Sequence, residues 1–215
     1  MSSHHKLTFV FIILASAALW QFGLAGWIHT KAYAAQILLD RAWQKTLIDH
    51  THNRPWPWAD TWPMAELIVP QLDITRIVLA GDSGASLAFG PGHSFSSASP
   101  GEHGTVVISG HRDTHFHFLQ HLKKGERIIL KTKSGIHYYK VSNTRVVDAR
   151  QFTTDPYNDA LILVTCYPFN SVINGGTERY IVYAQREQMM TVNSERLKVN
   201  SEAAFSQTTA HHELL

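Results

Sequence analysis

The chain has 215 residues, 44% of them apolar and 17% charged, and a formal net charge of +2. That is enough for one domain with appendages and a buried core, and it excludes a chain disordered throughout. With no long Lys/Arg block, nothing points to nucleic acid as a partner.

The first informative segment, Leu7 to Ile28, reads LTFVFIILASAALWQFGLAGWI, and Gln21 is its only strongly polar side chain. Twenty-two helical residues rise about 33 Å, against a hydrocarbon core of about 30 Å. A transmembrane helix is therefore predicted within a membrane anchor at residues 1–31, with Trp27 suited to an interface. A cleaved signal peptide is the competing reading, because Ala32-Tyr33-Ala34 resembles a cleavage site. The apolar run is longer than a signal core, which favours an uncleaved anchor. Lys6 precedes the span while His29 and Lys31 follow it, so charge hardly discriminates its orientation.

Residues 32–64 read as a stalk helix and linker. From Ala32 to His50, Leu39, Trp43 and Leu47 recur every four residues on one helical face. Arg54 to Met64, RPWPWADTWPM, holds three prolines and three tryptophans and cannot continue a helix. Its rings are expected to pack on the following domain, with carbohydrate stacking a lesser alternative.

At residues 65–186 the pattern turns to β. ELIVP, ITRIVLA, TVVISG, RIILKTK, HYYKVSNTRVV, LILVTC and RYIVYAQ are short Val-, Ile- and Tyr-rich runs. Turn signals separate them, among them Gly81-Asp82-Ser83-Gly84, Pro91-Gly92, Ser134-Gly135 and Asn174-Gly175-Gly176. Seven or eight strands over about 120 residues predict an all-β, closed or nearly closed barrel. One short helix is expected at Phe116 to Leu122. Residues 187–215 are mostly polar and are expected to form a tail.

Cys166 is the only cysteine, so an intramolecular disulfide and a multi-cysteine metal site are excluded. In ILVTCYPF a β-run delivers it to a strand end, since Pro168 cannot continue a central strand. A reactive thiol needs a nearby cation or acid–base partner. In VISGHRDTHF a second apolar run ends at Gly110 and presents His111, an imidazole able to exchange protons with a thiol and an amine. Gly110 permits backbone conformations closed to other residues. Arg179 opens the strand after the cysteine, and a hairpin return through Asn174-Gly175-Gly176 predicts its guanidinium beside the thiol. A fixed cation there suits an oxygen that becomes negative in acyl transfer.

The SGHR segment, Thr165-Cys166 at a strand end, and an Arg thirteen residues beyond the Cys together resemble the sortase family. The family motif is Thr-Leu-x-Thr-Cys; here Thr165 and Cys166 match it, and the upstream Thr and Leu do not align. The resemblance covers Ala65 to Gln185, and the wording of GHRDTHF and CYPF is nearest the proteobacterial, single-substrate branch. It implies an eight-stranded sortase barrel and cleavage of a C-terminal sorting signal of the Leu-Pro-x-Thr-Gly kind. Cys166 is then the nucleophile, His111 the proton-transfer partner and Arg179 the oxyanion stabiliser. Thr165, Gly110 and Arg112 are assigned to substrate binding. The stretch Ile173 to Thr177 becomes a loop beside the cleft. The family topology places the N-terminus in the cytoplasm and the barrel beyond the inner membrane. No cofactor or metal is expected, and the acceptor amine is left open.

Two rivals stand beside this reading. His111, His115, His117 and His121, with Asp113, fall within eleven residues and suggest a zinc hydrolase, although HExxH is absent. A membrane-tethered β-barrel binding module without catalysis is the other.

Overall fold

The computed structural model describes residues 3–155, 157–171 and 176–187. It opens with one helix, α1, Ser3–Asp49, unbroken at the predicted boundary between anchor and stalk. Phe9, Phe11, Leu14, Leu19, Trp20 and Phe22 are exposed on its first half. Further along, Ala35, Leu39, Ala42, Trp43 and Thr46 are buried. Their spacing marks one helical face, the one predicted from Leu39 and Trp43. The predicted span Leu7–Ile28 falls partly on side chains outside the described set, at residues 7, 24, 25 and 28. Among the described residues no helix is long and apolar enough to cross a membrane.

Eight strands follow: β1 Pro63–Val69, β2 Ile74–Ala80, β3 Gly92–His93, β4 Val106–Ser109, β5 Arg127–Thr132, β6 Gly135–Asp148, β7 Ala160–Cys166 and β8 Glu178–Arg186. They close into a barrel in the order β1-β2-β3-β4-β7-β8-β6-β5. The buried face of α1 packs on β1 and β2, and Gln36 Nε2 donates to the Phe89 carbonyl at 2.9 Å. Seven of the strands coincide with the apolar runs of the sequence. The eighth, β3, hides inside a turn signal because it is only two residues long. Gly92 is required there: a Cβ would lie 2.2 Å from the Gly81 carbonyl oxygen. The short helix predicted at Phe116 to Leu122 is a 3-10 turn, His117–His121. A second short helix, α2, spans Gly84–Leu87.

β1 alternates as a half-buried strand should, with Ala65, Leu67 and Val69 inward. β7 does not alternate: Ala160 to Leu163 are all buried. Leu161 and Leu163 join the barrel core with Val106, Ile108 and Val182. On the outer face Ile162 joins Val107 and Ile181, with Phe152, Val164 and Tyr183 packed against them. Covered on both sides, β7 reads as a continuous apolar run.

In the Arg54–Met64 linker, Trp56 packs edge-on against Phe89 and Trp62 lies between His52 and Phe95. Trp58 is 82% exposed, so not every ring packs as predicted. The predicted tail lies outside the described residues apart from Glu187, whose backbone N–H still donates to the Tyr138 carbonyl.

Candidate active site

The site is built where β4, β7 and β8 end side by side. β4 and β7 are parallel, with Ser109 opposite Val164, and the Gly110 N–H donates to the Val164 carbonyl at 3.0 Å. Continuing that register sets His111 level with Cys166. Parallel neighbours deliver their C-terminal ends to the same edge, which is how residues 55 positions apart come to line one cavity. β7 and β8 are antiparallel, with Cys166 opposite Arg179. One step beyond, the Tyr167 N–H donates to the Glu178 carbonyl at 3.1 Å. Cys166 and Arg179 are therefore a non-hydrogen-bonded pair, whose Cα atoms lie about 4.5 Å apart with side chains on one face.

Cys166 and His111 are both exposed and line one cavity of about 1120 Å³. Arg112, Asp113, His115 and Pro168 share its walls, as do Tyr33 and Gln36 of α1. Arg179 lines a second cleft of about 310 Å³ with Val107, Ser109, Val164, Phe152 and Ser97. The Cys166–Arg179 pair thus marks where the two clefts adjoin. Arg179 Nη1 donates to the carbonyls of Gly176 and Glu178 at 2.7 and 2.9 Å. A guanidinium carries five N–H groups, and among the described residues only Nη1 has partners, which leaves Nε and Nη2 as donors for a ligand oxygen.

Thr165 and Gly110, assigned to substrate binding from the sequence, take another place. Thr165 is buried and its Oγ1 donates to the Gly110 carbonyl at 2.7 Å. This bond latches the cysteine strand to the histidine strand, and neither residue lines either cleft. Gly110 does not use that freedom, since its φ is not left-handed. It is glycine because a Cβ would lie 2.7 Å from the buried Phe116 ring. Arg112 does line the first cavity, but only 5% of its side chain is exposed.

Asp113 receives Arg112 Nε at 2.6 Å and Nη2 at 2.9 Å. Those bonds hold its carboxyl below the usual carboxylate range. Asp148 accepts from Arg150 and from Thr177 Oγ1, at 3.0 Å in the latter case. The Arg150 contact, chiefly, holds it well below the carboxylate range. With the Ala149 N–H donating to the Thr177 carbonyl at 2.8 Å, the Thr177 bond ties the approach to Arg179 to the wall of the second cleft, which Ala149 lines. Composition offered no signal for it, because neither residue belongs to a recognisable motif.

The histidines of the rival zinc reading separate. His111 and His115 line the first cavity, while His117 and His121 face each other at 6.4 Å on a different cleft. Among the described residues no three His, Cys, Asp or Glu side chains gather to hold a metal ion. Of the loop predicted at Ile173 to Thr177, residues 173–175 lie outside the described residues.

A family model described as the sortase domain matches residues 67–187. The chain belongs to the sortase family. Sortase D of Bacillus subtilis (strain 168) is 35% identical to it over 123 residues, 56% of this chain and 62% of that relative. This sortase therefore spans less than two thirds of the length of that curated relative. Sortase C-1 of Actinomyces oris has a similar structure, with a TM-score of 0.51 and 26% identity over 59% of this chain and 76% of that one. A Clostridium perfringens sortase D5 transpeptidase reaches a TM-score of 0.58, covering 73% of this chain and 99% of its own. Its identity is 20%, so the likeness speaks for the barrel alone.

Proposed function

We propose that this sortase is a membrane-anchored cysteine transpeptidase of the proteobacterial, single-substrate type. Its substrate is a protein bearing a C-terminal sorting signal of the Leu-Pro-x-Thr-Gly kind. The observation that carries the reading is the juxtaposition at one barrel edge of an exposed thiol, Cys166, an imidazole level with it, His111, and a cross-strand guanidinium, Arg179. Membership of the sortase family supports the reaction class.

In this reading the peptide lies in the second cleft, with its scissile carbonyl over the Cys166–Arg179 pair. The Cys166 sulfur attacks that carbonyl, and the remaining donors of Arg179 stabilise the oxyanion. The C–N bond breaks, His111 gives the departing amine a proton, and a thioester remains on Cys166. An acceptor amine then attacks the thioester, returns a proton to His111 and releases the thiolate. The first cavity, on the His111 side, leaves room for that amine. Water in its place gives hydrolysis.

The exposed apolar side chains on the first half of α1 support a membrane anchor, and its place in the inner membrane, with the N-terminus cytoplasmic and the barrel periplasmic, follows from the family topology. Tyr33 and Gln36 line the cavity that holds Cys166, so an uncleaved helix would complete its wall.

The test is mass spectrometry of the detergent-solubilised chain incubated with Leu-Pro-x-Thr-Gly peptides. The expected result is an acyl adduct on Cys166, diverted to an amide when a short glycine peptide is added. Full labelling of Cys166 by a thiol reagent, with no adduct from any such peptide, overturns the reading.

A further inference from the structure

A fourth side chain stands at this edge with most of its donors already in use. We propose that Arg112 is a positioning residue that clamps the segment after the nucleophile, Pro168 to Ser171, to the turn carrying His111, and so fixes the imidazole against the Cys166 thiol. The inference deepens the acyl-transfer reading and rests on it for what the alignment serves.

Arginine is almost never fully buried unless paired, and the Arg112 side chain is 5% exposed. Its Nη1 donates to the Pro168 carbonyl and its Nη2 to the Ser171 carbonyl, both at 2.8 Å. Nε and Nη2 bind the two oxygens of Asp113. Two of these four bonds join residue 112, next to His111, to carbonyls two and five positions beyond Cys166, and the other two hold the guanidinium against Asp113. The Thr165–Gly110 latch fixes the strand ends on one side of this pair, and Arg112 fixes the turns on the other.

A substrate-binding role fits less well. A ligand would have to displace Asp113 or strip bonds from two backbone carbonyls. The planar fork also explains why the residue is arginine, since a lysine cannot meet a carboxylate and two divergent carbonyls together. The bond to Asp113 raises the guanidinium pKa and keeps the clamp charged.

The test compares wild-type chain, Arg112→Lys and Arg112→Gln, each checked for folding by circular dichroism. Two readouts are taken: the pH profile of Cys166 alkylation by iodoacetamide, and kcat and KM for a sorting peptide. The clamp predicts an alkylation midpoint raised by about one pH unit in Arg112→Gln and by less in Arg112→Lys. It predicts kcat lowered about 100-fold in Arg112→Gln, with KM within threefold. An alkylation profile coinciding with wild type in a folded variant overturns it, as does a rise in KM with kcat unchanged. Where Arg112→Gln does not fold, Arg112→Lys carries the same comparison. Should the wild-type chain alkylate yet process no sorting peptide, the acyl-transfer reading falls, and the alkylation profiles alone decide the clamp.

Discussion

Cys166 and Arg179 face each other across β7 and β8 as the last non-hydrogen-bonded pair before the Tyr167–Glu178 bond. In such a pair the side chains are at their closest and share one face of the sheet. Backbone register therefore places the guanidinium, with no loop needed to bring it in.

Replacing either member should silence the chemistry without loosening the barrel. Cys166 is exposed, so Cys166→Ala is expected to change stability by less than about 0.5 kcal/mol while abolishing the acyl adduct. Arg179→Lys keeps the charge and loses the fork, and kcat is expected to fall about 100- to 1000-fold. Thermal melts paired with peptide-cleavage rates check both.

The latch between the two reacting strands should cost more than its surface suggests. Thr165→Val removes the buried 2.7 Å bond to the Gly110 carbonyl. Stability is expected to drop by about 1 kcal/mol, a fall in Tm of roughly 2–4 °C. The rate should fall as well, because the latch sets His111 beside Cys166. An unchanged rate in a destabilised Thr165→Val chain would show the latch to be purely structural.

Packing, not backbone conformation, should make Gly110 intolerant. Gly110→Ala pushes a methyl into the Phe116 ring and is expected to destabilise by about 1–3 kcal/mol. Trimming the ring relieves the clash. The double variant Gly110→Ala, Phe116→Leu should thus lose less than the two single losses combined, measured by chemical denaturation.

Mild acid should weaken the fold through histidines before carboxylates matter. Burial pushes the pKa values of His93, His115 and His137 below the ordinary histidine value of 6.5. Their unfolded forms thus take up protons first as pH falls. The stability they contribute is complete above about pH 6.5 and is lost as pH drops from there through the lower folded values. His93 Nε2 donates to the Ala98 carbonyl at 2.9 Å and steadies the loop of Ser94, Ser96 and Ser97 on the second cleft. Melting temperature should decline between pH 7 and pH 5, and less steeply in His93→Gln. A flat profile over that range would remove the histidines from the account. Asp159, held below the carboxylate range by the Gly104 N–H and then by His103, adds its loss only below about pH 4.

Much of the site was legible because each strand end announces itself locally. Pro168 stops the cysteine strand, Gly110 ends the histidine strand, and the glycine-rich return points to a hairpin that brings Arg179 back. β3 was not legible, since two residues carry no periodicity and Pro91-Gly92 reads as a turn. Nor were the reasons behind Gly110, Thr165 and Arg112. Each residue type fits a binding role, and only the neighbours supplied by the fold show one filling space, one latching two strands and one with most of its donors already bound.

Apolar periodicity and turn chemistry by themselves determined an all-β domain behind a long N-terminal helix, with a thiol, an imidazole and a guanidinium at strand ends. Those signals are local, and they survive in a one-dimensional string. Tertiary structure alone decided that β4 and β7 run parallel side by side, and that the helix face at Tyr33 and Gln36 walls the thiol's cavity. It also decided that Arg112 turns its charge inward onto backbone carbonyls far along the chain. Such pairings are set by which buried surfaces and unsatisfied polar groups meet on closure of the barrel, and no stretch of sequence records them.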